Sequence, residues 1–206
     1  MLPDPTLIKQ CAACAKPFKQ KTLNSGITFS VKFWTDGKME TPMLPDPHWL
    51  IKCPHCQALL WIDEQQNLGE MDWVGRDRFR NARAYICPAV EDYLVMLESD
   101  SLEPEKKRYL RLWAWWTGNN PRRKSAMPKT LSKQEVDNLC GLAALLDESD
   151  DNDRLMKAEI LRELRQFAEA RSLLNKPFSP NYAQAVAIIK GYVEQGDPFV
   201  KEIRFQ

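Results

Sequence analysis

The sequence predicts an α+β fold, in which a small β-rich N-terminal part precedes an all-α bundle. In residues 1–64, runs such as ITFSVKFW (27–34) and ALLWID (58–63) mix β-branched and aromatic residues and show no helical period. From Pro88 onward, apolar residues recur every three or four positions, which indicates helices. We therefore expect a β-rich domain at 1–64, a linker at 65–87 and a helical domain at 88–206.

Turn and capping signals refine these segments. Asp36-Gly37 predicts a hairpin turn after ITFSVKFW. Gly118 to Pro121 predict the end of a helix that begins near residue 104. Ser132 and Glu135 match a capping box. We expect helices over 87–99, 104–120, 132–147, 150–166, 168–175 and 179–195.

Composition excludes several classes of protein. The chain has 206 residues, a net charge of +1 and 44% hydrophobic residues, so we do not expect bulk polyanion binding. It has no run of 18 apolar residues, which argues against a membrane span. Its first residues, MLPDP, lack the basic end and apolar stretch of a signal peptide. We expect a soluble, cytoplasmic protein.

Four of the six cysteines form two C-x-x-C pairs, and the phrase MLPDP precedes each pair. Two intervening residues let both sulfurs of a pair reach one ion, and two pairs complete a tetrahedral site. Such a site has no open coordination position, so its role is structural. The sequence predicts one structural Zn²⁺ held by Cys11, Cys14, Cys53 and Cys56. Redox-active pairs and unrelated thiols are the alternatives, although a thioredoxin-like pair requires a strand–helix pattern that is missing here.

Nothing in the sequence favours catalysis. The two histidines, His48 and His55, both lie near the second cysteine pair, and phosphate-loop and nucleophile-elbow motifs are absent. The acidic run ESDDND (148–153) resembles a chelating cluster, but it fits better as the start of a helix, where Asp favours the dipole. We expect a protein that is not an enzyme.

The segment YLRLWAWW (109–116) is the densest apolar stretch, and basic residues flank it. Trp and Arg are enriched at the energetic centres of interfaces. One interpretation is a docking surface for an acidic protein or for RNA, but the favoured interpretation is a central bundle helix with solvated basic ends. The candidate partner-binding residues are Arg111, Trp115, Arg122, Arg123, Arg76 and Arg80.

Two segments resemble known families. Residues 9–63 resemble a zinc ribbon, whose usual knuckle is C-P-x-C-G; the chain has CAACA and CPHCQ instead. Because the residue after each second cysteine needs a positive φ in such a knuckle, Ala15 and Gln57 are unfavourable there. LMKAEILRELRQFAEARSLL (155–174) resembles one tetratricopeptide repeat, with the usual turn glycine replaced near Arg165.

Nearly the whole chain is similar to a set of uncharacterised bacterial proteins with a zinc ribbon and a tetratricopeptide-like helical domain. The resemblance rests on SGITFSVKFWTDGK, PMLPDP, LRLWAWWTGNNPRR and LMKAEILREL. It implies a fold but no activity.

Our leading expectation is a non-catalytic, zinc-stabilised protein-interaction factor. Its partner would be a specific protein, and the role would be that of an adaptor or of an immunity protein that occludes a toxin. The alternative is a zinc-ribbon protein that binds RNA or DNA. Its support is two basic clusters: the arginines at 76, 78, 80 and 83, together with Arg122, Arg123 and Lys124.

Overall fold

The computed structural model describes residues 6–22, 31–41, 47–71, 79–99, 101–124 and 130–204. Its strands are β1 (Thr6–Gln10), β2 (Pro17–Gln20), β3 (Lys32–Trp34), β4 (Met39–Glu40), β5 (Leu50–Lys52), β6 (Leu59–Trp61), β7 (Gln66–Met71), β8 (Arg83–Ala84) and β9 (Glu202–Ile203). Its helices are α1 (Val90–Met96), α2 (Pro104–Lys124), α3 (Lys133–Ala143), α4 (Asp151–Glu163), α5 (Phe167–Leu174) and α6 (Ala183–Glu194). Small sheets followed by helices confirm the α+β class.

The chain divides into two compact units. The first unit comprises Met1–Val31 and Thr41–Asp92, and the second comprises Lys32–Glu40 and Tyr93–Gln206. The division differs from the expected domains because residues 32–40, which lie between the two cysteine pairs in sequence, belong to the helical unit. The hairpin that we expected to join the two knuckles therefore lies in the other unit.

The first unit is built on two β-hairpins, and each has a cysteine pair at its turn. Strands β1 and β2 pair antiparallel with Gln10 opposite Pro17, and β5 and β6 pair antiparallel with Lys52 opposite Leu59. The core packed beneath the turns contains Phe18, Leu60, Ile62 and two of the cysteines. Apolar packing and the two cysteine pairs therefore meet in one small core.

The described parts of the predicted linker, residues 65–71 and 79–87, include two strands of the first unit. Strand β7 pairs antiparallel with β1, and β8 pairs in parallel with β2, which gives a four-stranded sheet in the order β7-β1-β2-β8. Phe79 and Ala82 then pack against Ile8. The polar composition of this segment suggested a linker. The segment instead supplies β7 and β8, which pair with backbone groups that the β1–β2 hairpin alone would leave unpaired. Residues 72–78, which form part of the predicted linker, lie outside the described residues.

The second unit contains the predicted Asp36-Gly37 hairpin. Gly37 has φ 77°, and its N–H donates to the Trp34 carbonyl over 2.9 Å. Strands β4, β3 and β9 form a three-stranded sheet in that order. The hairpin is confirmed, and it joins the helical unit because its turn carries the buried Thr35 and Asp36.

Helix α2 continues past its predicted end, through Gly118 and Pro121 to Lys124. A proline in a helix removes one N–H and normally kinks or ends the helix. Here two arginine side chains supply donors around it: Arg122 Nη1 donates to the Gly118 carbonyl (2.8 Å), and Arg123 Nη1 donates to the Trp116 carbonyl (2.9 Å). These contacts stabilise the last turns, so the predicted stop is wrong.

The other helix signals behave as expected. Ser132 and Glu135 form the reciprocal capping box of α3, and Asp150 caps α4, so the acidic run opens a helix. Helices α4 and α5 meet at a turn where Arg165 has φ 63°. They share a core with α6 around Ala158, Ala170 and Ile189. None of the helices in the described ranges combines the length and apolarity that a membrane span requires.

Candidate metal centre

The two hairpin turns bring the four predicted cysteines together. The Sγ atoms of Cys11, Cys14, Cys53 and Cys56 all lie within 4.8 Å of one another. Cys11 Sγ is 3.7 Å from Cys56 Sγ, and Cys14 Sγ is 3.8 Å from Cys53 Sγ. These separations exceed a disulfide bond of about 2.05 Å. They match the edge, about 3.8 Å, of a tetrahedron whose centre lies about 2.3 Å from each sulfur.

The two turns have the same hydrogen-bond pattern, as expected of paired knuckles. In the first, the Ala15 N–H donates to the Cys11 carbonyl (2.8 Å), and the Cys11 N–H donates to the Lys16 carbonyl (3.1 Å). In the second, the Gln57 N–H donates to the Cys53 carbonyl (3.0 Å), and the Cys53 N–H donates to the Ala58 carbonyl (2.9 Å). The sulfurs are thus held by two equivalent backbone loops.

The four sulfurs are placed so that they could hold a cation. Burial raises the pKa of the Cys11 thiol to about 12, although backbone N–H groups of Cys14 and Ala13 act in the opposite direction. A coordinated metal ion converts such a thiol into a thiolate. Four closely spaced sulfurs, two of them in the core, could therefore hold one metal ion as ligands.

His55 is not among the four converging ligands. Its Nε2 lies 3.0 Å from the Pro17 carbonyl oxygen, and its backbone N–H donates to Cys53 Sγ over 3.4 Å. Cys87 and Cys140 lie outside the cluster. Cys140 is exposed on α3.

Both knuckles have the predicted positive φ. Ala15 has φ 56° and Gln57 has φ 65°, the two positions where a zinc-ribbon knuckle usually has glycine. The left-handed conformation costs a residue with a Cβ about 1 kcal/mol. The chain therefore carries backbone strain next to the four clustered cysteines.

Ala15→Gly should raise the free energy of unfolding of the metal-loaded protein by about 0.5–1 kcal/mol, because glycine adopts this φ without the Cβ clash. Chemical denaturation measures the change. The matched control is Ala13→Gly in the same exposed turn, where φ is not positive and glycine should be neutral or destabilising. Equal effects of the two substitutions would contradict the proposed strain.

Most of the predicted partner-binding residues make internal contacts in the helical unit. Trp115 is 4% exposed, and its Nε1 donates to Glu163 over 3.1 Å. Arg122 forms a two-pronged ion pair with Glu135. Arg111 lies so close to Gly141 that a Cβ there would overlap its guanidinium group.

Arg123 is the most deeply buried of these arginines, with a side chain that is 1% exposed. Trp115 and Arg123 therefore do not offer a partner-binding surface, because both side chains are buried within the second unit. Arg80 is exposed, and Arg76 lies outside the described residues.

A buried polar network, which the sequence did not reveal, holds the hairpin turn to the helices of the second unit. Arg123 forms an ion pair with Asp36, and Asn119 Nδ2 donates to Asp36 Oδ2 (3.0 Å) and to Glu163 Oε1 (3.0 Å). Arg162 donates to Glu159 through Nε (2.7 Å) and Nη2 (2.5 Å). Three carboxyl groups thus face two guanidinium groups.

The third carboxyl group is neutral at moderate pH. Burial, together with the nearby Glu159 and Asp36 carboxylates, raises the pKa of Glu163 to about 8, although the Trp115 hydrogen bond and Arg162 act in the opposite direction. With Glu163 protonated, the remaining two carboxylates balance Arg123 and Arg162. Burial also raises the pKa of Asp36, which Arg123 opposes.

Wild-type stability should fall as pH rises from about 4.5 to about 8. Glu163 keeps its proton in the folded state over this range, whereas an unfolded glutamate loses it, so stability decreases until the pH passes the folded pKa. Glu163→Gln should remove this slope and be more stable than wild type at pH 8 by at least about 1 kcal/mol. Urea titrations at pH 5, 6, 7 and 8 measure both effects. Exposed Glu169→Gln is the control, and a parallel slope in Glu163→Gln would contradict the assignment.

Comparisons with protein-family models, curated proteins and solved structures give no match to this chain.

Proposed function

We propose that this protein is a non-catalytic binding protein whose N-terminal unit is stabilised by one structural zinc ion. The four-sulfur site carries the proposal. Thiolate ligands in a tetrahedral arrangement favour zinc over hard cations such as Mg²⁺ or Ca²⁺. Four protein ligands also leave no position for a substrate or an activated water. A resident zinc ion here would stabilise the fold without taking part in a reaction.

The chain's own residues account for the structural role. Backbone hydrogen bonds close the two knuckles that carry the cysteines, and Cys11 and Cys53 are 1% and 0% exposed in the core. Binding of zinc would therefore couple directly to folding of the first unit.

For the binding role, we propose a protein partner at the sheet of the second unit. Phe33 and Met39 are directly opposite each other on β3 and β4, and they are 38% and 42% exposed. Two large apolar side chains side by side on a sheet face suit the apolar centre of an interface. An adaptor role or an immunity role would each require such a surface, because both act by binding a partner protein.

The test compares affinity purification of the tagged wild-type protein with the variant Phe33→Thr/Met39→Thr, in which both positions keep β-forming residues but lose apolar area. We expect one stoichiometric protein to copurify with the wild type and at least tenfold less of it with the variant. Val95→Thr, at another exposed apolar position of the second unit, is the control. Equal recovery of the partner by wild type and double variant would contradict the proposed surface.

A further inference from the structure

A concave surface beside the knuckles gathers positive charge without an acidic neighbour in its lining. The concavity has a volume of about 640 Å³ in the first unit, and its charged and ionisable lining residues are Lys16, His55, Arg80 and Arg83. Lys16, Arg80 and Arg83 are exposed. We refer to this feature as the basic concavity.

The fold fixes the backbone positions from which these side chains extend. The backbone carbonyl of Lys16 is bonded in the first knuckle, and His55 lies within the second knuckle and contacts the Pro17 carbonyl. Arg83 lies on β8, opposite Phe18 of β2. Arg80 lies in the turn that the hydrogen bond from the Ala82 N–H to the Phe79 carbonyl closes (2.9 Å).

None of the three permanently charged side chains forms an ion pair with a residue in the described ranges, whereas several other arginines of the chain do. Cationic side chains that line one concave surface repel one another, and an anion bound among them reduces this repulsion. The surface therefore fits a ligand that carries more than one negative group.

The lining distinguishes a nucleic acid from an acidic protein. Protein interfaces have an apolar centre. The basic concavity is lined by the four basic residues together with Asn81, Pro54 and the buried Ala82, so it has no large apolar side chain. Interfaces with nucleic acids are polar and strongly basic, and backbone phosphates supply most of their contacts.

We infer that the basic concavity binds the phosphate backbone of a nucleic acid, through Lys16, Arg80 and Arg83. This inference depends on the metal-stabilised fold of the first unit but not on the proposed protein partner. Contacts to backbone phosphates carry no sequence information, so recognition through these three side chains is independent of sequence.

The test is fluorescence anisotropy with a labelled 20-nucleotide oligo(U) and the full-length, zinc-loaded protein. Three phosphate contacts predict a slope of about −2 for log K against log salt, or about a 15-fold loss of affinity between 50 and 200 mM salt. Arg80→Gln/Arg83→Gln should weaken binding at least tenfold and leave a slope of about −0.7. Lys133→Gln/Arg171→Gln, which removes the same charge from exposed sites in the second unit, is the matched control.

Zinc content and the melting curve are measured for each variant. A loss of binding with both unchanged supports the inference, whereas lost zinc or a lowered melting temperature would mean that the arginines serve the fold and not a ligand. Equal weakening by the control pair, complete competition by inorganic phosphate, or equal affinity for polyglutamate would also overturn it. Loss of zinc from the wild type would instead indicate failure of the proposed metal centre.

Discussion

Cys53→Ser should unfold the first unit and lower the zinc content from one ion per chain to near zero. Cys53 is fully buried and belongs both to the four-sulfur cluster and to the core around Phe18 and Ile51. Structural zinc contributes an apparent 10–16 kcal/mol in small zinc domains, which is more than the total stability of a typical domain. Elemental analysis and a thermal melt measure the two effects.

The matched control is Cys140→Ser, because Cys140 is exposed on α3 and lies outside the cluster. It should leave both the zinc content and the melting curve unchanged. The helical unit has its own cores, so the far-ultraviolet helical signal of Cys53→Ser should largely persist. Full zinc content with an unchanged melt in Cys53→Ser would show that this residue is not a ligand.

Arg123→Met should destabilise the second unit by about 3–5 kcal/mol, because it leaves the buried Asp36 carboxylate without its cation. The Asp36 side chain is 0% exposed, and Asn119 would be the remaining side-chain donor within the described part of the chain. Denaturant unfolding followed by helical circular dichroism measures the loss.

Two variants separate lost charge pairing from lost packing. Lys124→Met changes a neighbouring exposed lysine and should have little effect. Asp36→Asn/Arg123→Met removes both charges and should recover more than half of the lost stability. If Arg123→Met and Lys124→Met had the same free energy of unfolding, the Arg123–Asp36 ion pair would contribute nothing measurable to stability.

The cysteine cluster was the most predictable part of this protein. Two C-x-x-C pairs constrain sulfur positions through local chemistry, so the sequence identified the four clustered cysteines and even the strained φ of Ala15 and Gln57. Capping at Ser132 and the turn at Asp36-Gly37 were predictable for the same reason, since each depends on a few neighbouring residues.

Features that depend on distant contacts were not predictable. The pairing of β7 and β8 with the first hairpin is set by tertiary packing, and polar composition concealed it. The burial of Glu159 and Arg162 could not be predicted either. Burying a charged side chain is unfavourable unless it is paired, and the ion pair between these two residues exists only in the folded protein. Arginines that appeared available to a partner, such as Arg122 and Arg123, find internal acceptors for the same reason.

X-ray absorption at the zinc edge of the purified protein tests the central claim most directly, together with the zinc content of the same sample. The account predicts one zinc ion per chain with a single shell of four sulfur ligands at about 2.3 Å. A shell containing nitrogen or oxygen at about 2.0–2.1 Å, or a protein that folds fully without metal, would contradict a structural four-cysteine site.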